Sequence, residues 1–121
     1  MIYNFDNERP IYVQLVEKIR LDIISGKLKS SDRIPSVREL ALEARVNPNT
    51  MQKALVELEE EGLLYTERTN GKYVTDNKKL IEKMKKELVE EKVNNFLEEM
   101  KNIGISSEEI INYLKDLGGD E

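Results

Sequence analysis

The sequence predicts a mainly α-helical protein with one small β-hairpin. Apolar residues recur at three- and four-residue spacing over most of the 121 residues, which is the period of helices with one buried face. Ser36 and Ser106 each precede a glutamate by three residues, the capping-box spacing that begins a helix. Between residues 63 and 75 the residues become β-prone on both sides of Asn70-Gly71, a turn dipeptide typical of hairpins.

Size and composition limit the classes of function. The chain is long enough for one domain, or for a small domain with an appendage. It has no cysteine, no histidine and no glycine-rich phosphate loop, so we expect no enzyme, no metal site and no cofactor. No apolar run approaches the ~20 residues that span a bilayer and no signal peptide is visible, so we expect a cytoplasmic protein.

The charge of the chain is unevenly distributed. A formal net charge of -5 argues against a polyanionic partner. Within residues 27–53, however, six basic residues face three acidic ones. Four glutamates cluster immediately afterwards, at positions 57, 59, 60 and 61. This pattern is consistent with a protein that has one basic face and an acidic rear.

Two helices precede the central one. Pro10 begins the first, which carries an apolar stripe and ends at Gly26. A polar connection over residues 27–33 leads to a short second helix, begun by the capping box of Ser36 and Glu39. This helix lapses around residues 44–46.

The third helix is predicted to present polar side chains to a partner. Asn47 is a suitable N-cap and Pro48 fits the first helical position. Four apolar residues between Met51 and Leu58 recur on one face, which leaves Asn49, Thr50, Gln52 and Lys53 pointing outward. Amide, hydroxyl and ammonium groups can read base edges in a DNA major groove. For an isolated stretch, a solvated helix surface is the alternative.

Two helices joined by a brief turn form the helix-turn-helix pattern, and the hairpin after Gly62 would be its wing. The hairpin carries Arg68, Asn70 and Lys72, which suit phosphates or a minor groove, although charged hairpin tips are usually solvated turns. We therefore predict a winged helix-turn-helix DNA-binding domain over residues 9–77.

Residues 78–121 are predicted to form a two-helix C-terminal tail. A long helix pattern runs from about residue 77 to 103, Gly104 ends it, and the Ser106 capping box begins a last helix that ends at Gly118-Gly119. These helices carry more apolar surface than their own segment can bury, so they must pack on the winged domain or on a second copy. The predicted contact residues are Leu80, Met84, Leu88, Val93, Phe96, Leu97, Met100, Ile103, Ile110 and Leu114.

Four motifs resemble, in order and spacing, the winged helix-turn-helix domain of GntR-family bacterial transcription regulators. They are Arg9-Pro-Ile-Tyr-Val-Gln-Leu, Ile34-Pro-Ser-Val-Arg-Glu-Leu-Ala41, Val46-Asn-Pro-Asn-Thr50 and Leu58-Glu-Glu-Glu-Gly-Leu-Leu64. The short two-helix tail resembles the YtrA subfamily, whose tail is a dimerisation element and not a full effector-binding domain. This resemblance implies that residues 78–121 are a dimerisation element and that their apolar contact residues meet a second copy.

The resemblance implies that Arg38 contacts DNA, that the start of the third helix faces the major groove, and that the wing near Gly71 approaches the minor groove. Many relatives carry arginine where this chain has Pro48 and Gln52, which favours readout of adenine by Gln52 or Asn49. The wing keeps one glycine of a paired-glycine family pattern. The candidate DNA-binding residues are Arg33, Ser36, Arg38, Asn47, Asn49, Thr50, Gln52, Lys53, Arg68, Asn70, Gly71 and Lys72.

The leading functional hypothesis is a homodimeric, sequence-specific repressor that binds a palindromic operator in double-stranded DNA. The resemblance favours a transporter operon as its target and implies no large effector domain, and no small-molecule effector can be identified. The alternative is a winged-helix protein-interaction module without sequence-specific DNA binding, which would suit the negative net charge.

Overall fold

A computed structural model describes residues 3–118, which form five helices and one two-stranded antiparallel sheet. The mainly helical class with a small hairpin is confirmed. The chain divides into two compact units, Met1–Lys85 and Lys86–Glu121. None of the described helices is long and apolar enough to cross a membrane. The elements are α1 (Ile11–Ile24), α2 (Val37–Ala44), α3 (Pro48–Glu60), β1 (Leu64–Glu67), β2 (Gly71–Val74), α4 (Lys78–Ile103) and α5 (Ser107–Leu117).

The predicted helix starts are confirmed because they depend only on local hydrogen bonds. Ser36 Oγ accepts from the backbone N–H of Glu39 at 3.1 Å, and the Ser36 N–H donates to the Glu39 carboxylate at 3.2 Å. The same reciprocal pair links Ser106 and Glu109 at the start of α5. Each box satisfies two backbone donors that would otherwise lack helical partners.

The start of α3 is also as predicted. Asn47 Oδ1 accepts from the Asn49 N–H at 2.8 Å, and Pro48 occupies the first helical position. Proline loses nothing there, because the N–H that it lacks would have had no helical partner.

The core of the first unit lies between α1, α2, α3 and the hairpin. Its buried apolar residues include Leu15, Ile19 and Ile23 of α1, and partly buried side chains from the first turns of α4 cover it from one side. Those α4 side chains are Leu80, Ile81 and Met84. Two predicted dimerisation residues, Leu80 and Met84, therefore pack within the chain.

The segment after α1 is more ordered than the predicted polar connection. Its end runs beside β2, where the Val74 N–H donates to the Asp32 carbonyl at 2.8 Å and the Ile34 N–H to the Lys72 carbonyl at 2.9 Å. Arg33 pairs with Tyr73 as an isolated bridge. The residues before α2 thus extend the sheet that forms the wing.

The predicted hairpin is present, but its loop differs from the two-residue turn that Asn70-Gly71 favours. Residues 68–70 form the loop, and Gly71 is the first residue of β2, paired with Glu67. Gly71 has a φ of 103°, which an L side chain rarely adopts. The Asn70-Gly71 dipeptide predicted the hairpin correctly, but the loop ends one residue earlier than the dipeptide indicates.

A polar network attaches the hairpin to α3. Lys72 Nζ forms an ion pair with Glu59 and donates to Thr66 Oγ1 at 3.0 Å. The Thr66 hydroxyl donates to the same glutamate at 2.9 Å. Since Glu59 lies on α3 and the other two lie on the two strands, the network fixes the wing to that helix.

The second unit contains the remainder of α4 together with α5. Gly104, with a φ of 90°, follows α4 as predicted, and Gly118 follows α5; Gly119 lies outside the described residues. Ile110 is buried, whereas most other apolar residues of the unit are exposed. The two compact units meet within α4, between Lys85 and Lys86. That boundary reflects compactness alone, so the predicted domains over residues 9–77 and 78–121 stay a prediction.

The Asn47 cap generates a stability prediction. We expect Asn47→Ala to lower the free energy of unfolding by about 1 kcal/mol, because the first turn of α3 loses its side-chain acceptor. Asn47→Asp should stay close to the unmodified protein, since a carboxylate can accept the same bond. Urea unfolding followed by circular dichroism measures both. Equal stability of the alanine variant and the unmodified protein would contradict the role of the cap.

The Glu39 capping box generates a pH prediction. The pKa of Glu39 lies below its ordinary value of 4.5, first because the carboxylate accepts from the Ser36 backbone, then because of the Ser36 side chain, and to a smaller degree because of the Arg33 charge. A carboxylate whose pKa is lower in the folded state than in the unfolded state stabilises the fold at pH values above its unfolded-state pKa. This stabilisation is lost as the pH falls through the folded-state pKa.

We therefore expect stability to fall less between about pH 5 and pH 3 in Glu39→Gln than in the unmodified protein. Thermal unfolding across that range measures the difference. Glu60→Gln is the matched control, because Glu60 is exposed on α3 and its side chain has no hydrogen bond within residues 3–118. The control should keep the profile of the unmodified protein, and a Glu39→Gln profile as steep as that of the unmodified protein would refute the prediction.

Candidate nucleic-acid interface

The start of α3 presents the polar surface that the sequence predicts. Asn49, Gln52 and Lys53 are exposed and Thr50 is half-buried, while the four apolar residues on the opposite side of the helix are buried. The outward groups are therefore amides, a hydroxyl and an ammonium. They can donate to and accept from base edges, and Lys53 can bind a phosphate.

Lys53 is held by an aromatic ring from α1. Its ammonium lies 3.9 Å from the centroid of the Tyr12 ring, a cation–π distance. Sequence reasoning did not include Tyr12 among the site residues, because the contact joins residues far apart in the chain. The two residues border an open concavity of about 420 Å³, lined by Pro10, Ile11, Tyr12, Asn49, Thr50 and Lys53.

Two of the predicted DNA-binding residues have a structural role as caps. The oxygens of Ser36 and Asn47 accept from their own helices. The Ser36 hydroxyl hydrogen and the Asn47 amide hydrogens stay available, so both groups can still donate to a phosphate. Arg38 is the second residue of α2 and is exposed.

At the wing, Arg33 and Gly71 are brought together. A Cβ added to Gly71 would lie 3.1 Å from Arg33 Nε, so glycine here lets the guanidinium lie against the hairpin next to its loop. Arg68 and Asn70 are exposed in the loop. Lys72 is not at the tip: it is in β2 and its charge is paired with Glu59.

Ion pairing separates the basic residues of the winged domain into two groups. Among the described residues up to position 75, Arg9, Lys18, Arg20 and Lys72 each pair with a carboxylate. The other lysines and arginines in that stretch form no ion pair within the described chain. These are Lys27, Lys29, Arg33, Arg38, Arg45, Lys53 and Arg68. All six basic residues of the 27–53 segment are in this group, so their charges are free to meet phosphates.

Known proteins share this sequence and architecture. Residues 11–74 match the family described as bacterial regulatory proteins of the gntR family. The HTH-type transcriptional repressor YtrA of Bacillus subtilis (strain 168) is 35% identical over 118 residues, which cover 92% of this chain and 86% of YtrA. A GntR family transcriptional regulator from Listeria monocytogenes has a TM-score of 0.86 at 42% identity, covering 93% of this chain and 99% of the other.

Some of the similar structures contain DNA. The crystal structure of AraR(DBD) in complex with operator ORR3 has a TM-score of 0.54 at 31% identity, covering 62% of this chain and 90% of that one. The family match over residues 11–74 includes α3 and the wing, where the exposed polar residues and most of the unpaired cations lie. The chain therefore belongs to the GntR family of bacterial regulatory proteins and is a winged helix-turn-helix transcriptional regulator, not an enzyme.

Proposed function

We propose that this protein is a homodimeric, sequence-specific repressor that inserts the start of α3 into the major groove of each half of a palindromic operator. The observation that carries the proposal is the polar outward face of α3 beside a set of cations without ion-pair partners. A solvated helix face would need neither amides free of helix contacts nor a run of unpaired arginines. DNA supplies phosphates for the cations and base edges for the amides.

The proposed contacts divide into specifying and positioning ones. Asn49 and Gln52 can each pair through their amide with adenine in the major groove. Arg33, Arg38 and Arg68 bind phosphates, since a guanidinium suits phosphate oxygens. Thr50 and Lys53 lie beside the concavity at the start of α3 and add to the contacts with the DNA backbone.

The wing contributes through its loop. Arg68 and Asn70 approach the minor groove, and Gly71 leaves room for the backbone of the wing to come close to the DNA. Lys72 contributes indirectly, because its ion pair with Glu59 fixes the hairpin to α3. Because Gly71 has no side chain, the Arg33 guanidinium can lie against it. Arg33 would therefore contact the DNA together with the wing.

The second unit supplies the proposed dimer contact. Val89, Val93, Phe96, Met100 and Ile103 follow one another at alternating spacings of four and three residues, the pattern of a seam between helices. Val93 is 47% exposed and Ile103 68% exposed. Contiguous apolar exposure of this kind marks protein interfaces, and a second copy would cover it.

Leu97 and Leu114 lie among these exposed apolar residues, and Leu88 and Met100 are half-buried. Ile110 is 7% exposed and supports the interface from inside its own chain. A symmetric pair of α3 helices then requires half-sites about one helical turn of DNA apart, roughly 34–36 Å. Similarity to the repressor YtrA supports repression as the outcome. We further propose that the protein acts in the cytoplasm and that its target is a transporter operon.

Charge reversal tests the DNA-facing surface. We expect Arg38→Glu and Lys53→Glu each to lower affinity at least tenfold for a duplex selected from a random DNA pool by the unmodified protein. Each should also make the dependence of log affinity on log salt less steep, because about one phosphate contact per half-site is lost. Fluorescence anisotropy over a salt series measures both quantities.

Lys101→Glu is the matched control for net charge, because Lys101 is exposed on α4 in the other unit and lies away from the apolar seam. It should keep the affinity within about twofold. If the control weakens binding as much as the α2 and α3 variants, net charge and not the proposed surface governs binding. If no sequence is selected from the pool at all, the proposed function is wrong.

The dimer seam is tested by a single buried charge. We expect Val93→Glu to be monomeric at concentrations where the unmodified protein is dimeric, because two carboxylates would face each other without water or partners. Affinity for the full operator should fall at least tenfold through loss of the linked second half-site, whereas binding to an isolated half-site should not change. Analytical ultracentrifugation and anisotropy provide the two readouts.

Asn95→Glu is the control for Val93→Glu, since Asn95 is exposed on the same helix and lies away from the seam. It should remain dimeric. A dimeric Val93→Glu protein with unchanged operator affinity would show that the contact lies elsewhere.

A further inference from the structure

The turn between α2 and α3 contains an arginine in the left-handed conformation. Arg45 has φ 58° and ψ 46°. Its N–H donates to the Leu42 carbonyl at 3.2 Å, and the next N–H, from Val46, donates to the Ala41 carbonyl at 3.0 Å. These two bonds define a Schellman motif, in which glycine is the usual residue at the left-handed position.

The same chain uses glycine wherever else it makes this motif among the described residues. At the end of α3, Gly62 donates to the Glu59 carbonyl at 2.9 Å and the following residue bonds five residues back at 3.0 Å. At the end of α4, Gly104 makes the equivalent pair at 3.0 and 2.9 Å. Both glycines have a positive φ. At the end of α2 alone, a side chain is kept in a conformation that disfavours one.

The Arg45 side chain does nothing visible for the fold. It is exposed, and within residues 3–118 it forms neither an ion pair nor a hydrogen bond. A cation near a helix C-terminus does interact favourably with the helix dipole. A basic residue in the last turn of α2 would give that benefit without a left-handed backbone, and α2 has none there.

The position of Arg45 points to DNA. It lies two residues before Asn47, the N-cap of the helix proposed to enter the major groove, and it follows the helix that carries Arg38. We propose that Arg45 is a further DNA-binding residue, whose guanidinium contacts a backbone phosphate at the edge of the groove that α3 enters. This inference rests on the proposed function.

Arg45→Gly separates a DNA contact from a structural role. Glycine adopts the left-handed conformation without a steric penalty, so the thermal midpoint should be unchanged or higher. Affinity for the selected operator should nevertheless fall about fivefold or more, and the salt slope should become less steep by ~0.9 for each half-site. Arg45→Lys should keep the slope, because it keeps the charge.

Ser31→Gly is the matched control. Ser31 is the other described non-glycine residue with a positive φ, at 69°, so this change gives the same backbone relief without removing a charge. It should leave affinity and salt slope unchanged.

Two results would overturn the inference alone. One is an Arg45→Gly protein that binds the operator with the affinity and slope of the unmodified protein while Arg38→Glu binds weakly. The other is a parallel loss of thermal midpoint and affinity, which would make Arg45 a structural residue. If the unmodified protein shows no selective, salt-dependent binding, the proposed function fails and this inference fails with it.

Discussion

The proposed DNA-facing surface depends on the burial of one side of α3. Met51, Ala54, Leu55 and Leu58 are each 0% exposed, and burying a leucine or methionine fully stabilises a fold by about 1.5–3 kcal/mol. Turning the helix by one residue, about 100°, would put Gln52 into the buried place of Met51 without partners and Ala54 into the exposed place of Lys53. The outward direction of Asn49, Gln52 and Lys53 is therefore set by the core and not by any contact of their own.

The two ends of α3 have different electrostatic roles. At its C-terminal end, Glu59 pairs with Lys72 of the wing and Glu61 pairs with Arg20 of α1, the latter through two bonds of 2.9 and 2.6 Å. These carboxylates are used to hold neighbouring elements against the helix. At the N-terminal end no carboxylate is present, and the nearby cations stay unpaired. The acidic cluster that looks unfavourable for DNA binding in the sequence is thus partly structural.

The features that the sequence predicted are those encoded within a few residues. Both capping boxes, the Asn47 cap, the hairpin and the bounds of the long helix depend on spacings of two to four residues, so the pattern is sufficient. Contacts across the chain gave no such signal. The cation–π contact of Lys53 with Tyr12 and the seating of Arg33 over Gly71 join residues about forty positions apart.

Lys72 is the clearest case of the difference. A lysine one residue after a predicted turn suggests a solvated tip, and only the folded hairpin shows that its side chain turns towards Glu59. Leu80 and Met84 are similar, because helical periodicity marks them as apolar without saying which surface they cover. Sequence thus predicts the kind of surface a residue belongs to, and packing decides which surface that is.

A net charge of -5 is compatible with DNA binding because screening makes the interaction local. The Debye length at physiological salt is about 8 Å, whereas a helix of 13 residues is about 20 Å long. Acids at the far end of α3 therefore contribute little to the field at its start. Neutral amides on α3 supply discrimination but little attraction, so on the proposed function affinity must come from the unpaired cations of α2, the turn and the wing. On that proposal, a helix without arginine can serve as the recognition helix in this chain.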